Sequence, residues 1–141
     1  MSISPLKTGE KDLATTLAFA ARRVSAQIER VVSVEGLTVD QWSVLDFAAR
    51  SGSPVTMSEI IRAVGLSGPS LTRATDKLVT ASLIFREIHP DDRRRVLIQP
   101  STRGLELHGR TQPKVEAAQS EIIANVRDPQ LLLQTLGGLA R

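Results

Sequence analysis

Arg93, Arg94 and Arg95 follow one another in the stretch His89-Pro90-Asp91-Asp92-Arg93-Arg94-Arg95, and Ser67, Ser70, Thr72, Arg73 and Lys77 cluster shortly before it. Hydroxyls, guanidinium groups and ammonium groups are the side chains that hydrogen-bond phosphate oxygens and base edges. A run of cations is usually solvated surface. Here Pro90 supplies turn chemistry, and Asp91 and Asp92 supply an internal counter-charge. The expectation is that Asp92 pairs with a neighbouring arginine and shapes the loop. Arg93 and Arg94 would then reach a nucleic-acid backbone and a narrow minor groove, where negative potential is concentrated. On this reading Ser70, Thr72 and Arg73 face bases, Ser67, Lys77 and Arg93 face phosphates, and Arg94 enters the minor groove. Pro69 and Arg95 complete the candidate DNA-contacting set.

The elements that must hold these residues are legible in residues 56–99. Residues 57–64 read as a short helix, Gly65-Leu66-Ser67 as a tight turn, and residues 69–81 as a second helix. Two strands follow, residues 84–88 and 95–99, rich in Ile, Val and Phe and joined by the basic loop. Stepping about 100° per residue along the second helix puts Leu71, Ala74, Leu78 and Val79 on one side. Ser70, Thr72, Arg73, Asp76, Lys77 and Thr80 fall mostly on the other. A helix, a short Gly-containing turn and a second helix is the arrangement that lays its second helix in a major groove. The segment Ser67-Gly68-Pro69-Ser70 would point free N–H groups and a positive dipole end at an anion. An ordinary solvated amphipathic helix would show the same two faces.

The run from Lys77 through Leu83-Ile84-Phe85-Arg86, then His89 to Ile98 with Asp92-Arg93-Arg94 inside it, and then Ser101 to Gly104, resembles the MarR family of winged helix-turn-helix transcription regulators. The likeness is sharpest over residues 37–104. It implies a mostly α fold with a small β-ribbon: a winged helix-turn-helix part at about 37–100, with dimerisation helices at about 9–33 and 102–139. It also implies a homodimer, a palindromic double-stranded DNA site and a small effector that weakens DNA binding. Family members bind small aromatic acids in the crevice between the dimer helices and the DNA-reading part. Here that crevice would be lined by Phe19, Trp42 or Phe47, with Arg22 or Arg23 nearby for an aromatic or anionic effector. Two departures stand out. Ser82 occupies the place of the usual glycine that ends the second helix, and Pro100 that of the usual leucine.

Outside this core, Leu13, Leu17, Ala20, Val24, Ile28 and Val31 recur at three- and four-residue steps, predicting an amphipathic helix from about Gly9 to Ser33. Thr38 with Gln41 and Thr56 with Glu59 are capping-box pairs, each opening a helix. Trp42, Leu45, Ala48 and Ala49 supply the buried face of the first of these helices. Ile60, Ile61 and Val64 supply that of the second. Val55 can add a brief strand beside the wing, Pro100 should stop the last strand, and Ser101 is a candidate N-cap. Leu105, Leu107, Val115, Ala118, Ile122, Ile123 and Val126 predict a long helix that Pro113 can kink. Asp128-Pro129 restarts a final helix with proline at its favoured first position. The aliphatic residues of that last helix need a partner surface, so the first and last helices are expected to dock against a second subunit.

Composition narrows the classes. The 141 residues make one domain, and 18 Lys+Arg against 15 Asp+Glu give a net +3, which permits nucleic-acid binding without requiring it. Cysteine is absent, which excludes disulfides, a cysteine nucleophile and a thiol oxidation sensor within this chain. With one Trp, three Phe and no Tyr, stacking on unpaired bases is poorly served, so duplex DNA fits better than single strands. No apolar run approaches a membrane span, and a cytoplasmic protein is expected. His89 and His108 lie in no metal-ligand spacing, and no nucleophile is matched to a base, so neither metal, cofactor nor enzyme chemistry is indicated. A winged-helix protein-interaction module, or an architectural DNA binder without operator preference, remains the alternative.

Overall fold

The computed structural model describes residues 12–141. The expected helix start at Gly9 and the segment preceding it lie outside those residues. Six α-helices and three short strands follow in the order α1 (Leu13–Val32), a 3-10 turn (Ser33–Glu35), α2 (Val39–Ser51), β1 (Val55–Thr56), α3 (Met57–Val64), α4 (Gly68–Thr80), β2 (Ile84–Ile88), β3 (Val96–Pro100), α5 (Thr102–Ile123) and α6 (Pro129–Leu139).

Local chemistry fixes most of these boundaries. Both capping boxes form: the Thr38 hydroxyl accepts from Gln41 N–H, the Thr56 hydroxyl accepts from Glu59 N–H, and each partner side chain accepts from the cap's own N–H. Asp12, Ser67, Ser101 and Asp128 cap α1, α4, α5 and α6 in the same side-chain-to-backbone manner. Gly65 ends α3 at φ +70°, and this left-handed turn makes the corner between α3 and α4 tight.

The strands form one antiparallel sheet in the order β1-β3-β2. Val55 pairs with Ile98, as a brief strand beside the wing should, so the two-stranded ribbon gains a third member. Pro100 does not stand beyond the last strand. It is that strand's final residue, opposite Ile84, where a missing N–H costs least, and Arg95 belongs to the turn instead.

The core joins α2, α4 and the sheet. Val44, Leu45, Ile60, Leu71, Leu78 and Ile98 are fully buried, together with Val32 from the end of α1. Burial of such side chains stabilises by about 1.5–3 kcal/mol each. Several residues of the apolar stripes are exposed: Leu13, Ala20 and Val24 on α1, together with Ile61 and Leu105. Ala49 and Val79 are half-buried, and Val44, Thr75 and Thr111 take buried places the apolar pattern did not single out. α5 runs through Pro113 without a break in its helical span. Arg110 of α5 grips Glu35 with two 2.8 Å hydrogen bonds and holds that carboxyl below its usual range.

Ser82 adopts φ +60°, a left-handed conformation that side chains disfavour. It reverses the chain after α4: Ser82 N–H donates to Val79 O at 2.9 Å and Leu83 N–H to Leu78 O at 2.9 Å. Its own carbonyl accepts from the Ser101 hydroxyl at 2.6 Å, tying this turn to the start of α5. Ser82→Gly is expected to raise stability by about 1 kcal/mol, or roughly 3 °C in melting temperature. A thermal melt showing a lower midpoint would contradict the strain.

Candidate nucleic-acid interface

α4 carries a buried side, Leu71, Ala74, Thr75 and Leu78, and an outward side containing Thr72, Arg73, Asp76, Lys77 and Thr80, with Ser70 half-buried at its edge. The core therefore sets the rotation of the helix. At its start, Ser67 Oγ accepts from Ser70 N–H at 3.2 Å and donates to Ser70 Oγ at 3.0 Å. Arg73 Nη2 also donates to Ser70 Oγ, at 3.2 Å. Thr72 turns its hydroxyl proton back to Gly68 O at 3.0 Å, leaving an acceptor and a methyl group for a partner such as a thymine methyl. Ser67, Pro69, Thr72, Arg73 and Lys77 are all exposed.

The wing loop is built differently from its expected form. Asp92 makes no ion pair with an arginine; its Oδ1 accepts the backbone N–H of Arg94 at 3.0 Å. Backbone bonds close the rest: Arg95 N–H to Asp92 O at 3.0 Å, and His89 N–H to Arg95 O at 2.9 Å. His89 Nδ1 accepts from Asp91 N–H at 3.1 Å. A short carboxylate is well placed to bond its own backbone two residues on, which an Asx-turn does without engaging a cation. Arg93, Arg94 and Arg95 are consequently exposed, and among the described residues none has a carboxylate within ion-pair distance. Asp92→Asn keeps an acceptor oxygen and removes a negative charge, so DNA affinity should hold or rise. Asp92→Ala should lower it through a looser loop. Equal losses in the two variants, measured by fluorescence anisotropy, would restore the ion-pair account.

The sequence did not point to the link between helix and wing. Arg86 on β2 forms an ion pair with Asp76 of α4, which removes the one acid of the α4 outward side from competition with phosphates. Its only signal was Arg86 inside the motif. A second unforeseen neighbour is the start of α2: Thr38, Asp40 and Gln41 share a depression of about 270 Å³ with Ser70, Arg73 and Lys77.

A crevice lies where the effector was expected, with a lining that differs from the expected one. A cavity of about 430 Å³ lies among α1, α2, α3 and α5, bordered by Trp42 and Phe47 as expected. Phe19, Arg22 and Arg23 do not line it: Arg22 lies over the Phe19 ring at 5.7 Å on the exposed side of α1, and Arg23 is exposed. The bordering cation is Arg50, one turn after Asp46, to which its Nε donates at 2.8 Å. His108, which sequence spacing left without a role, stacks on Trp42 at 5.2 Å and donates from Nε2 to Asp46 Oδ1 at 2.7 Å. Helical pitch could not reveal this, because Asp46 and His108 lie on different helices.

Residues 35–95 match the sequence model of the MarR family. That segment, less than half of the chain, is thus similar to this family. The match spans this segment's capped α2, its helix-turn-helix and its Asp92-shaped wing as far as Arg95. An uncharacterized HTH-type transcriptional regulator of Bacillus subtilis (strain 168), YcgE, is 45% identical over 49 residues, which are 35% of this chain and 32% of that relative. The chain thus matches about a third of the length of that curated relative. Solved structures extend the likeness to the whole fold. The transcriptional repressor CouR bound to a 23-mer DNA duplex is 26% identical with TM-score 0.80, over 98% of this chain and 100% of that one. The Mycobacterium tuberculosis regulator MOSR in complex with DNA has TM-score 0.81 at 24% identity, over 92% and 94% of the two chains. Bordetella bronchiseptica BpsR, whose DNA binding is regulated by 6-hydroxynicotinic acid, has TM-score 0.81 at 19% identity, over 93% and 100%. The helices flanking residues 35–95 therefore belong to the shared fold. No helix among the described residues is long and apolar enough to cross a membrane.

Proposed function

We propose that this protein is a homodimeric transcription regulator, a repressor rather than an enzyme, that binds a palindromic site on double-stranded DNA. Each subunit sets the outward side of α4 in a major groove and its Arg93-Arg94 tip in the adjoining minor groove. Two-fold symmetry spaces the half-sites by about one helical turn, roughly 10 base pairs. The observation that carries this reading is the one-sided grouping, on α4 and the wing, of hydroxyls and of cations that have no carboxylate partner among the described residues, with Asp76 neutralised by Arg86. CouR and MOSR, of the same fold, are bound to DNA.

Pairing of two subunits is supported by the apolar surface at the chain's two ends. Leu13 and Val24 on α1 are exposed, as are Leu131, Leu133 and Leu139 on α6 and, to a lesser degree, Leu132 and Leu136. Such an extent of aliphatic surface is stable in water when covered. Light scattering should give the mass of two 15.3 kDa chains.

The deciding experiment titrates the full chain against the duplex upstream of its own coding region, with a scrambled duplex as control, by fluorescence anisotropy. Clear preference for the first is expected. Equal affinity for both would leave an architectural or non-specific binder.

Control by a small molecule is a second reading, favoured by the crevice that Trp42 and Phe47 border between α1 and the DNA-reading part. A ligand that binds one spacing of the two reading heads better than another shifts the population accordingly. BpsR, of the same fold, responds to 6-hydroxynicotinic acid.

A further inference from the structure

The crevice has an unusual charge balance for an effector that is an acid. Asp46 Oδ1 serves two donors, Arg50 Nε at 2.8 Å and His108 Nε2 at 2.7 Å, while Oδ2 accepts no hydrogen bond from the described residues. Asp46 borders both the main cavity and an adjoining chamber of about 170 Å³, where Glu116 adds a second carboxylate. Among the described residues Glu116 accepts from Gln112 alone, at 3.1 Å. Against these two anions stands one permanent cation among the lining residues, Arg50, whose side chain is 59% exposed and already engaged with Asp46; His108, the other donor to Asp46, lines neither cavity. The walls of the main cavity are otherwise largely apolar, with Val24, Ile28, Val39 and Phe47 among them.

A carboxylate entering this space would approach two like charges to reach one partly neutralised arginine. An ammonium group would meet an unused oxygen of Asp46 and a second carboxylate, while an attached ring or alkyl body lay on the apolar wall. Arg22 and Arg23, which would have favoured an acid, are elsewhere. We infer that the crevice takes a small organic cation with an apolar body, an arylalkyl ammonium in chemical class, with Asp46 and Glu116 as its counter-ions. The inference rests on reading the crevice as an effector site, and it reverses the charge of effector that family resemblance implies.

Trp42 is the chain's single tryptophan and borders both cavities, so its emission reports occupancy. The test titrates the full-length protein, without DNA, with 2-phenylethylamine, 3-phenylpropionate and 2-phenylethanol, which carry one ring on a cation, an anion and a neutral group. At neutral pH the amine should give a saturable change at a concentration at least tenfold lower than the carboxylate. Glu116→Gln and Asp46→Asn should each weaken amine binding by fivefold or more while leaving the alcohol unchanged. Asp46 also holds His108, so Glu116→Gln, at an exposed position, carries the test in a fold that is left intact. Equal or tighter binding of the carboxylate, no saturable response to any of the three, or undiminished amine binding in Glu116→Gln would each overturn the inference. Failure of the DNA titration would overturn the proposed function and leave this readout standing.

Discussion

Between 50 and 200 mM salt, the affinity of the proposed dimer for duplex DNA is expected to fall by about 10³- to 10⁵-fold, the range for neutralising six to ten phosphates. The magnitude follows from where the cations stand. Arg93, Arg94 and Arg95 have no carboxylate partner among the described residues, Arg73 and Lys77 are exposed, and the one acid of the α4 outward side is held by Arg86. Each of these cations is therefore available to displace condensed counterions from the duplex. Titrations at several salt concentrations measure the slope directly, and a flat response would remove phosphate contact as the basis of binding. Within that total, Arg94→Ala should weaken binding by about 1–3 kcal/mol if its guanidinium reaches base edges in the minor groove. A loss that is uniform across operator sequences would place Arg94 on the phosphates instead.

The second large effect concerns folding. Gly104→Ala is expected to destabilise the protein by about 3 kcal/mol or more, lowering the melting temperature by roughly 10 °C. A Cβ at Gly104 would lie 2.0 Å from Leu83 O and 2.9 Å from Leu83 C, both backbone atoms that cannot swing aside. The same carbonyl accepts from Ser101 N–H at 3.0 Å, and Gly104 N–H donates to the Ser101 hydroxyl at 3.0 Å. Making room would break the cap of α5 and its bond to the end of α4. Gly109→Ala, on the same helix, is the control. Nothing lies within 4 Å of its Cβ, so it should stabilise by about 0.5–1 kcal/mol through helix propensity. Similar melting temperatures for the two variants would show that the α4 to α5 junction is not close-packed.

Residues Ser101 to Gly104 illustrate what a one-dimensional pattern can and cannot convey. Ser101 was recognisable as a cap because capping chemistry is local, involving a hydroxyl and an N–H three residues on. The need for glycine at 104 was not, because it arises from Leu83, which meets it only after the sheet folds back. Asp92 shows a similar division. Its role in shaping the wing was legible from its place in a turn, whereas the partner it chose, a backbone N–H rather than a guanidinium, was settled by the loop's closed geometry. In the crevice, Trp42 and Phe47 were identified from their type. Family resemblance suggests Arg22 and Arg23 beside it, yet both project from the exposed side of α1.

The element order, the capped helix starts, the tight corner before α4, and the division of α4 into an apolar and a hydroxyl-and-cation side are readable from the chain alone. These depend on interactions within a few residues, which periodicity and side-chain chemistry record directly. Folding in three dimensions added that Arg86 neutralises Asp76, that His108 and Arg50 share Asp46 beside the crevice, and that Ser82 meets Ser101 while Gly104 meets Leu83 across one junction. Those pairings join residues of separate elements. They exist only because burying Leu45, Leu71, Leu78 and Ile98 together fixes where each element's remaining side chains must point.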